Sequence, residues 1–353
     1  MKRLCSVLLV VSLLLCGCRS QTEVGEPVVV TGLGISRENG TWTLSVQAIE
    51  PLRTAGSLSE QDKAATAVYT ASGDSVAEAL QAFLNETGKR TYILQNRIVV
   101  LNLAQCRKDS LLQTLDYFIR NQEGRASVDL VICRGDPSAL LDITTGSDAI
   151  PAEYVSQMLA EGQLFSQCTT ARLLDAERAL AGTLDIALPI LQVVDGTPQL
   201  SGTALFSGDR LAGELTNRET VGLLLAAGES DYCLYTFDGV TYRLEELCST
   251  VQVTLAEGGW QYHVDVSAVS RVVEASAEAP SLRRVEEALA AEITAALTRS
   301  AVELGSDPLG LARRAAARYR HSGVTQASAR KALPQATFTA SVTLSQTDTG
   351  FLA

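Results

Sequence analysis

Strand-like and helix-like hydrophobic periodicity alternate along this chain, and that alternation is the feature that most constrains its fold. Residues 41–49 place apolar side chains at every second position, whereas residues 282–297 place them three or four positions apart. The pair Asn39-Gly40, which precedes the first of these segments, is a signal for a tight hairpin turn. The chain is therefore expected to fold as a mixture of sheets and helices.

Predicted helices begin where a capping residue precedes a segment of helical periodicity. The strongest signal is Thr216-Asn217-Arg218-Glu219, because its first and last side chains can each satisfy the other's backbone N–H. Ser281 begins the longest predicted helix, and Asp307 with Pro308 begins the one after it. The predicted helix starts are Asp74, Asp109, Asp136, Pro151, Thr216, Ser281 and Asp307.

Predicted strands occupy the alternating and β-branched runs between these helices. They cover residues 27–35, 41–49, 91–94, 98–103, 126–133, 184–194, 200–206 and 336–344, with four short runs between 232 and 273. Residues 51–66 are polar and turn-rich, and we expect a loop there. Changes in this pattern divide the chain into an N-terminal region 27–145, a middle region 146–198 and a C-terminal region 199–353.

The first eighteen residues determine the expected compartment. Lys2 and Arg3 precede the apolar stretch Leu4–Leu15, which has the charge and length of a signal peptide. The stretch ends in Leu15-Cys16-Gly17-Cys18, which resembles the lipobox of bacterial lipoproteins. We expect residues 1–17 to be removed, Cys18 to receive the lipid, and residues 18–26 to form a tether. A plain secretory signal with a coincidental cysteine is the alternative.

The charge balance disfavours a nucleic-acid partner. The chain carries 29 Lys and Arg against 40 Asp and Glu, a net charge of −11, whereas nucleic-acid surfaces are basic. Removal of residues 1–17 takes away Lys2 and Arg3, which changes the balance to 27 against 40, or −13. The mature body is therefore expected to gain no electrostatic attraction to anionic lipid.

The cysteines and histidines show no metal-binding or redox spacing. The five cysteines after Cys18 are expected to be mostly free and buried, although a bridge between Cys233 and Cys248 stays open. These five are Cys106, Cys133, Cys168, Cys233 and Cys248. His263 falls on the polar face of a predicted strand, and His321 suits the end of a helix.

The sequence contains no complete catalytic or cofactor-binding motif. Gly32-Leu33-Gly34 suggests a dinucleotide loop, but Arg37 stands where the third glycine should be, and a strand follows instead of a helix. No hydrolase, kinase or metalloprotease signature occurs, so neither catalysis nor a cofactor is predicted. The basic cluster Arg313, Arg314, Arg318 and Arg320 either docks an acidic partner or complements the end of a helix.

Taken in order, short segments of the chain resemble the Ger(x)C family, the lipoprotein C subunits of spore nutrient germinant receptors. The likeness covers nearly the whole chain, although Arg19-Ser20 stands where members often carry Trp-Asp, and Asn96 where a His is common. The resembling segments are the lipobox, Val29–Ile35, Arg97–Leu101, Asp116–Asn121, Gly202–Phe206, Leu211–Leu215 and Gly305–Gly310.

The resemblance implies a three-domain α+β lipoprotein with mainly antiparallel or mixed sheets and two late helices. It also implies a position on the outer face of the spore's inner membrane and a role in coupling an integral-membrane A subunit and a multi-spanning B subunit. Cys18 is the one functional residue carried over. Arg120 and Asn121 end a helix in a family-like segment and are candidate partner contacts, with a helix-dipole role for Arg120 as the alternative.

Two other classes stay open. An extracytoplasmic solute-binding lipoprotein would share the anchor, but that class usually has two βαβ-rich lobes, whereas this chain ends in two predicted helices and one strand. An envelope hydrolase would need the catalytic motifs that the sequence lacks. Binding of amino acids or sugars to the protein would favour the first class, and turnover of peptidoglycan or esters the second.

Overall fold

A computed structural model of the protein describes residues 28–50, 65–121, 125–143, 150–182, 184–276 and 280–346. The predicted signal peptide 1–17, the tether 18–26 and Cys18 lie outside the described residues. Within the described residues the strands form two sheets, one of nine strands and one of four.

The first sheet is mixed. Its strands are β1 (Val28–Glu38), β2 (Thr41–Glu50), β3 (Ala65–Gly73), β4 (Thr91–Tyr92), β5 (Ile98–Asn102), β6 (Asp129–Cys133), β7 (Ala187–Val194), β8 (Thr197–Ser207) and β9 (Arg210–Leu215). Their order is β3-β2-β1-β5-β6-β7-β8-β9, with β4 paired to β1. The central strands β1, β5, β6 and β7 run parallel, and the strands at each edge run antiparallel.

Helices cover both faces of this sheet, because parallel strands need crossover connections. The helices are α1 (Val76–Thr87), α2 (Leu103–Cys106), α3 (Leu111–Arg120), α4 (Pro137–Leu141), α5 (Pro151–Leu164) and α6 (Leu173–Leu180). One core contains Leu33, Phe83 and Leu115. The core on the other face contains Leu141 and Val155.

The predicted hairpin at the start of the chain is confirmed. Asn39 and Gly40 have φ angles of 51° and 91°, and they join β1 to β2. Such left-handed angles match the twist of a two-residue hairpin turn. The apolar face of β2 predicted by the alternation is buried at Trp42, Leu44 and Val46, as well as Ala48.

Gly32 and Gly34 have a packing role in the first sheet. A Cβ on Gly32 would lie 2.6 Å from Leu141 Cδ2, and one on Gly34 would lie 2.8 Å from Pro137 Cβ. Both distances are shorter than van der Waals contact, so the two glycines allow α4 to lie close against β1.

Strand β3 and two helix caps differ from the sequence predictions. Residues 65–73 form β3, whereas the sequence predicts a loop up to residue 66 and no strand after it. The first two helices are capped one residue later than predicted: the hydroxyls of Ser75 and Ser110 accept hydrogen bonds from the N–H groups of Glu78 and Gln113. Asp74 and Asp109 lie just outside these helices.

The first sheet runs across both predicted domain boundaries. The boundary between residues 198 and 199 falls inside β8, which pairs antiparallel with β7, and β9 extends the sheet to Leu215. The boundary near 145 falls in residues 144–149, outside the described part. The three-part division is therefore not a division between sheets.

The second sheet contains β10 (Tyr232–Phe237), β11 (Val240–Ala256), β12 (Gly259–Ala275) and β13 (Thr337–Gln346), paired in that order. The prediction of four short runs between 232 and 273 is wrong, because β11 and β12 are single strands of 17 residues each. The register between the two strands shifts near residue 241 and again at residues 245–248. At each shift the alternation of apolar and polar residues, by which a continuous strand is recognised in a sequence, is interrupted. The tail strand β13 pairs parallel with β12.

Helices α7 (Asn217–Ala227), α8 (Leu282–Leu297), α9 (Leu311–Arg318) and α10 (Gln326–Ala332) pack with the second sheet. The predicted capping box of Thr216 and Glu219 is confirmed. The helix predicted from Asp307 begins later, at Leu311 after Gly310. Together the two sheets form a multi-domain α+β fold, as expected.

Candidate docking groove

A groove of about 710 Å³ opens where helices α1 and α3 begin. Both helix starts are polar, because the hydroxyls of Ser75 and Ser110 cap their first turns. Among the side chains that line the groove are Arg37, Asp74, Leu112, Asp116, Arg120 and Asn121.

Arg37 joins the first hairpin to helix α3 at this groove. Its guanidinium lies 3.4 Å from the Asp109 carboxylate and 5.0 Å from the centre of the Trp42 ring. It also donates a hydrogen bond to the carbonyl oxygen of Gly40. The groove wall is thus held by an ion pair and a cation–π contact.

The structure brings the two predicted contact residues to the rim of this groove. The Arg120 side chain is 78% exposed and pairs with Asp116 at 2.8 Å, one helical turn earlier. Asn121 ends α3 and donates a side-chain hydrogen bond to the Tyr117 hydroxyl. This position suits partner contact, while the place of Arg120 in the last turn also suits the dipole interaction. Both roles stay predictions.

Leu112 is a groove residue whose exposure helical periodicity does not predict. It is 45% exposed, whereas Leu111 and Leu115 of the same helix are buried. Adjacent leucines at 111 and 112 fit the same broad helical stripe, so periodicity alone does not separate the buried one from the exposed one. Leu112 therefore adds exposed apolar surface to a groove that is otherwise lined by charged and polar groups.

A buried ion pair ties the first sheet to the helices of the second. The Asp185 side chain is 3% exposed and pairs with Arg330 of α10. The same carboxylate accepts hydrogen bonds from the N–H groups of Gly208 and Asp307, at 2.9 and 2.8 Å. Arg330 also donates to the Ser207 hydroxyl. Every oxygen of this buried carboxylate therefore has a partner, as burial of a charge requires.

Asp307 extends this network into helix α9. Its carboxylate accepts hydrogen bonds from the N–H groups of Leu311 and Ala312, at 2.6 and 2.9 Å. Burial raises the pKa of the Asp307 carboxyl above its usual range, and the two N–H donors oppose that shift. Asp307 thus caps α9 from outside the helix. The adjacent Ser306 donates to the carbonyl oxygen of Phe206 in the first sheet.

Glu214 of strand β9 joins two loops of the first sheet. Arg107 and Arg134 reach its two oxygens at 2.5 and 2.7 Å. Partial burial alone would raise the pKa of Glu214, but the hydrogen bonds from both arginines hold it below its usual range.

The cysteine prediction is confirmed for the described residues. Cys106, Cys133, Cys168 and Cys233 are buried and free, and Cys248 is exposed and free, so the Cys233–Cys248 bridge is absent among these thiols. Burial raises the pKa of each of the four buried thiols to about 12, which keeps them protonated.

Each histidine lies where the strand and helix patterns predicted. His263 lies on the polar face of β12 and contacts Thr339 and Asp265, at 2.8 and 3.0 Å. His321 follows α9 in a short 3₁₀ turn and is exposed.

Among the residues that the structure describes, no cluster of His, Cys, Asp and Glu has the composition to hold a metal ion. The helices in the same part of the chain are all too short or too polar to cross a bilayer.

Two protein-family models match the chain, one after the other. The spore germination protein N-terminal domain matches residues 20–193, and the spore germination B3/GerAC-like C-terminal domain matches residues 201–350. The two matches meet near the predicted boundary at 198/199, in the region of the β7–β8 turn.

Curated relatives and a solved structure agree with these matches. Spore germination protein KC of Bacillus subtilis is 28% identical over 164 residues, which cover 45% of this chain and 40% of that protein. The putative spore germination protein YfkR of the same organism is 22% identical over 225 residues, which cover 59% of this chain and 56% of that protein. The chain thus spans about half the length of these relatives. The crystal structure of the GerBC protein superposes with a TM-score of 0.57 at 16% identity, over 90% of this chain and 97% of that one, and shows a shared fold.

Proposed function

The chain belongs to the Ger(x)C family of spore germination proteins, and on this premise we propose that it is the C subunit of a spore nutrient germinant receptor. A lipid on Cys18 holds it on the outer face of the spore's inner membrane. Its folded body docks on integral-membrane A and B subunits and couples them without catalysing a reaction.

The observation that carries this proposal is the order of the two family matches, which together extend from residue 20 to residue 350. The lipobox ending at Cys18 lies immediately before the first match. Two acyl chains on such a cysteine give stable attachment, since each buried CH₂ contributes about 0.8 kcal/mol. Anchoring and docking are therefore separate functions of separate parts of the chain.

We assign the docking role to the groove between the starts of α1 and α3. Leu112 supplies an exposed apolar anchor there, and Arg37, Asp116 and Arg120 supply charges around it. A buried apolar contact surrounded by a polar rim is the usual composition of a protein interface.

Replacement of Cys18 by alanine is expected to release the protein from the membrane and to abolish most of its contribution to nutrient germination. The alanine side chain has no thiol to accept the lipid, so both acyl chains are lost. The measurements are the protein fraction that sediments with spore membranes and the fall in optical density of spores after nutrient addition. Cys16→Ser is the matched control and should behave as the parent. A Cys18→Ala protein that stays membrane-bound and germinates normally would refute the anchor.

Leu112→Asp is expected to reduce the germination response several-fold while leaving the protein folded and membrane-bound. An aspartate in the groove removes the apolar contact and adds a charge that would have to be desolvated on docking. Leu164→Asp is the control, since Leu164 is 41% exposed but lies at the end of α5. Equal germination of the two variants, at equal protein levels, would show that the docking surface lies elsewhere. That result would leave the anchor and family assignment standing.

A further inference from the structure

The acidic chain contains one long segment without any acidic residue. Between Asp307 and Asp348 the sequence has no Asp or Glu, although the whole chain has 40. The same segment carries Arg313, Arg314, Arg318, Arg320, Arg330 and Lys331. Positive charge is therefore concentrated on helices α9 and α10, against the net charge of the protein.

Five of these six side chains are not paired with a carboxylate. Arg330 forms the pair with Asp185, but the other five are exposed and form no ion pair with any described carboxylate. Arg314 donates one hydrogen bond, of 3.5 Å, to the carbonyl oxygen of Leu309. These five, Arg313, Arg314, Arg318, Arg320 and Lys331, are here termed the arginine surface. Arginines elsewhere on the surface are commonly paired, for example Arg107 and Arg134 with Glu214.

Arg313 and Arg314 lie at the end of α9 where a cation is unfavourable. The helix begins at Leu311, so both arginines fall in its first turn, close to the positive end of the helix dipole. The interpretation that the cluster complements a helix C-terminus fits Arg318, which ends α9, but not these two. The Asp307 carboxylate, which caps this helix end, offsets part of the unfavourable charge, and a carboxylate of a ligand would offset more of it.

Both arginines also line a concave cleft of about 550 Å³ between the two sheets. Arg172 and Arg178 lie in the same cleft, where they pair with Asp129 and Asp175 at 3.9 and 3.6 Å. Asp185 and Glu229 line it as well. A flat bilayer surface does not enter a concave cleft, whereas a polypeptide segment does.

We propose that the arginine surface binds an acidic polypeptide segment of a partner protein. Carboxylates of the segment enter the cleft at Arg313 and Arg314, where planar guanidinium groups bind them in a bidentate manner. The segment continues toward Arg318, which lies about 7 Å further along the helix at 1.5 Å per residue. A small dianion does not span that length, which favours a chain of carboxylates as the ligand. This binding goes beyond the proposed receptor role and does not require the lipid.

The test uses the full-length protein in detergent and a fluorescent peptide of ten glutamates, with a peptide of ten glutamines as the neutral probe. Fluorescence anisotropy should show binding of the glutamate peptide only, weakened as salt rises from 50 to 200 mM because exposed charges are screened. In the R313Q/R314Q variant the Kd should rise about tenfold or more, in line with the loss of about 1.4 kcal/mol or more.

The matched control is R283Q/R284Q. Arg283 and Arg284 also lie in the first turn of a helix, α8, but they pair with Glu287 and Asp238. This variant should bind the glutamate peptide as the parent does. R313E should unfold at the same urea concentration as the parent or slightly higher, since an acidic residue suits the first turn.

Three results would overturn the proposal: equal peptide affinity for both double variants, binding of the neutral peptide as tight as that of the acidic one, or failure of the acidic peptide to bind. Vesicles of phosphatidylglycerol are a further arm. Arginine-dependent binding to vesicles without binding to the peptide would identify a lipid-binding surface instead. None of these results depends on Cys18, so they are distinguishable from failure of the receptor proposal.

Discussion

Replacing Arg330 with methionine is expected to lower the free energy of unfolding by about 3 kcal/mol, because it leaves a buried carboxylate without its cation. The Asp185 side chain is 3% exposed and that of Arg330 is 34% exposed, so solvent screens the pair in part and offsets some of the loss. The N–H groups of Gly208 and Asp307 still donate to that carboxylate. We therefore expect the lower end of the range for breaking a buried pair.

The loss should also uncouple the two sheets. Trp42 lies in β2 of the first sheet and Trp260 in β12 of the second, and the chain has 2 tryptophans in all. Urea unfolding followed by fluorescence, in backgrounds with one tryptophan changed to phenylalanine, reports each sheet separately. In the parent protein we expect the two curves to coincide, and in Arg330→Met we expect them to separate.

Lys331→Met is the control for this experiment. Lys331 is adjacent in sequence and exposed, and surface substitutions of that kind change stability by about 0.5 kcal/mol or less. A loss below about 1 kcal/mol for Arg330→Met, or curves that stay superimposed, would show that the pair does not hold the sheets together.

Gly202→Ala is expected to cost about 3 kcal/mol or more. Gly202 has a φ angle of 107°, which side chains rarely adopt, and a Cβ there would lie 2.1 Å from the carbonyl oxygen of Leu215. The obstacle is backbone at the end of β9, so it cannot rotate away as a flexible side chain would. Relief requires β8 and β9 to move apart, where α7 begins.

Gly208→Ala separates the two causes of the expected loss of stability in Gly202→Ala, which are the positive φ angle and the clash with backbone. Gly208 also has a positive φ angle, 62°, but no atom lies within 4 Å of the added Cβ. It should therefore cost only the backbone term, about 1–2 kcal/mol. Urea denaturation of both variants measures the difference. If Gly202→Ala costs no more than Gly208→Ala, the approach of β8 to β9 is looser than the structure indicates.

Local signals predicted the elements whose cause is local. The hairpin at Asn39-Gly40 follows from two left-handed residues, and the start of α7 follows from reciprocal hydrogen bonds between Thr216 and Glu219. Periodicity likewise located α8, where Val285, Leu289 and Ile293 are buried.

The sequence pattern did not predict the strands that form because a distant strand pairs with them. Strand β3 contains small and polar residues with little alternation, and it is a strand because β2 pairs with it from Trp42 to Glu50. The pairing of β11 with β12 is irregular, so apolar and polar residues do not alternate along the whole of either strand. The sequence pattern therefore predicts several short strands in place of two long ones.

The docking groove was predictable only in part. A family-like helix end pointed to Arg120 and Asn121, and both lie on the groove rim. Nothing in the sequence indicated that Leu112 and Arg37 would also line the groove. The exposure of Leu112 depends on which side of α3 the sheet covers. The position of Arg37 depends on how closely the hairpin approaches Asp109.

The family resemblance, the mixture of helices and sheets, and the acid-free segment are all readable from the amino-acid sequence. The sequence also carries the prediction of a lipid on Cys18. Which polar groups are buried and paired inside the fold becomes known only from the three-dimensional structure. Gln47 lies on the polar side of β2, yet it is buried and accepts hydrogen bonds from Thr31 and from the N–H of Ala152. Burial and pairing depend on residues far apart in the chain, so periodicity and motif spacing do not encode them locally.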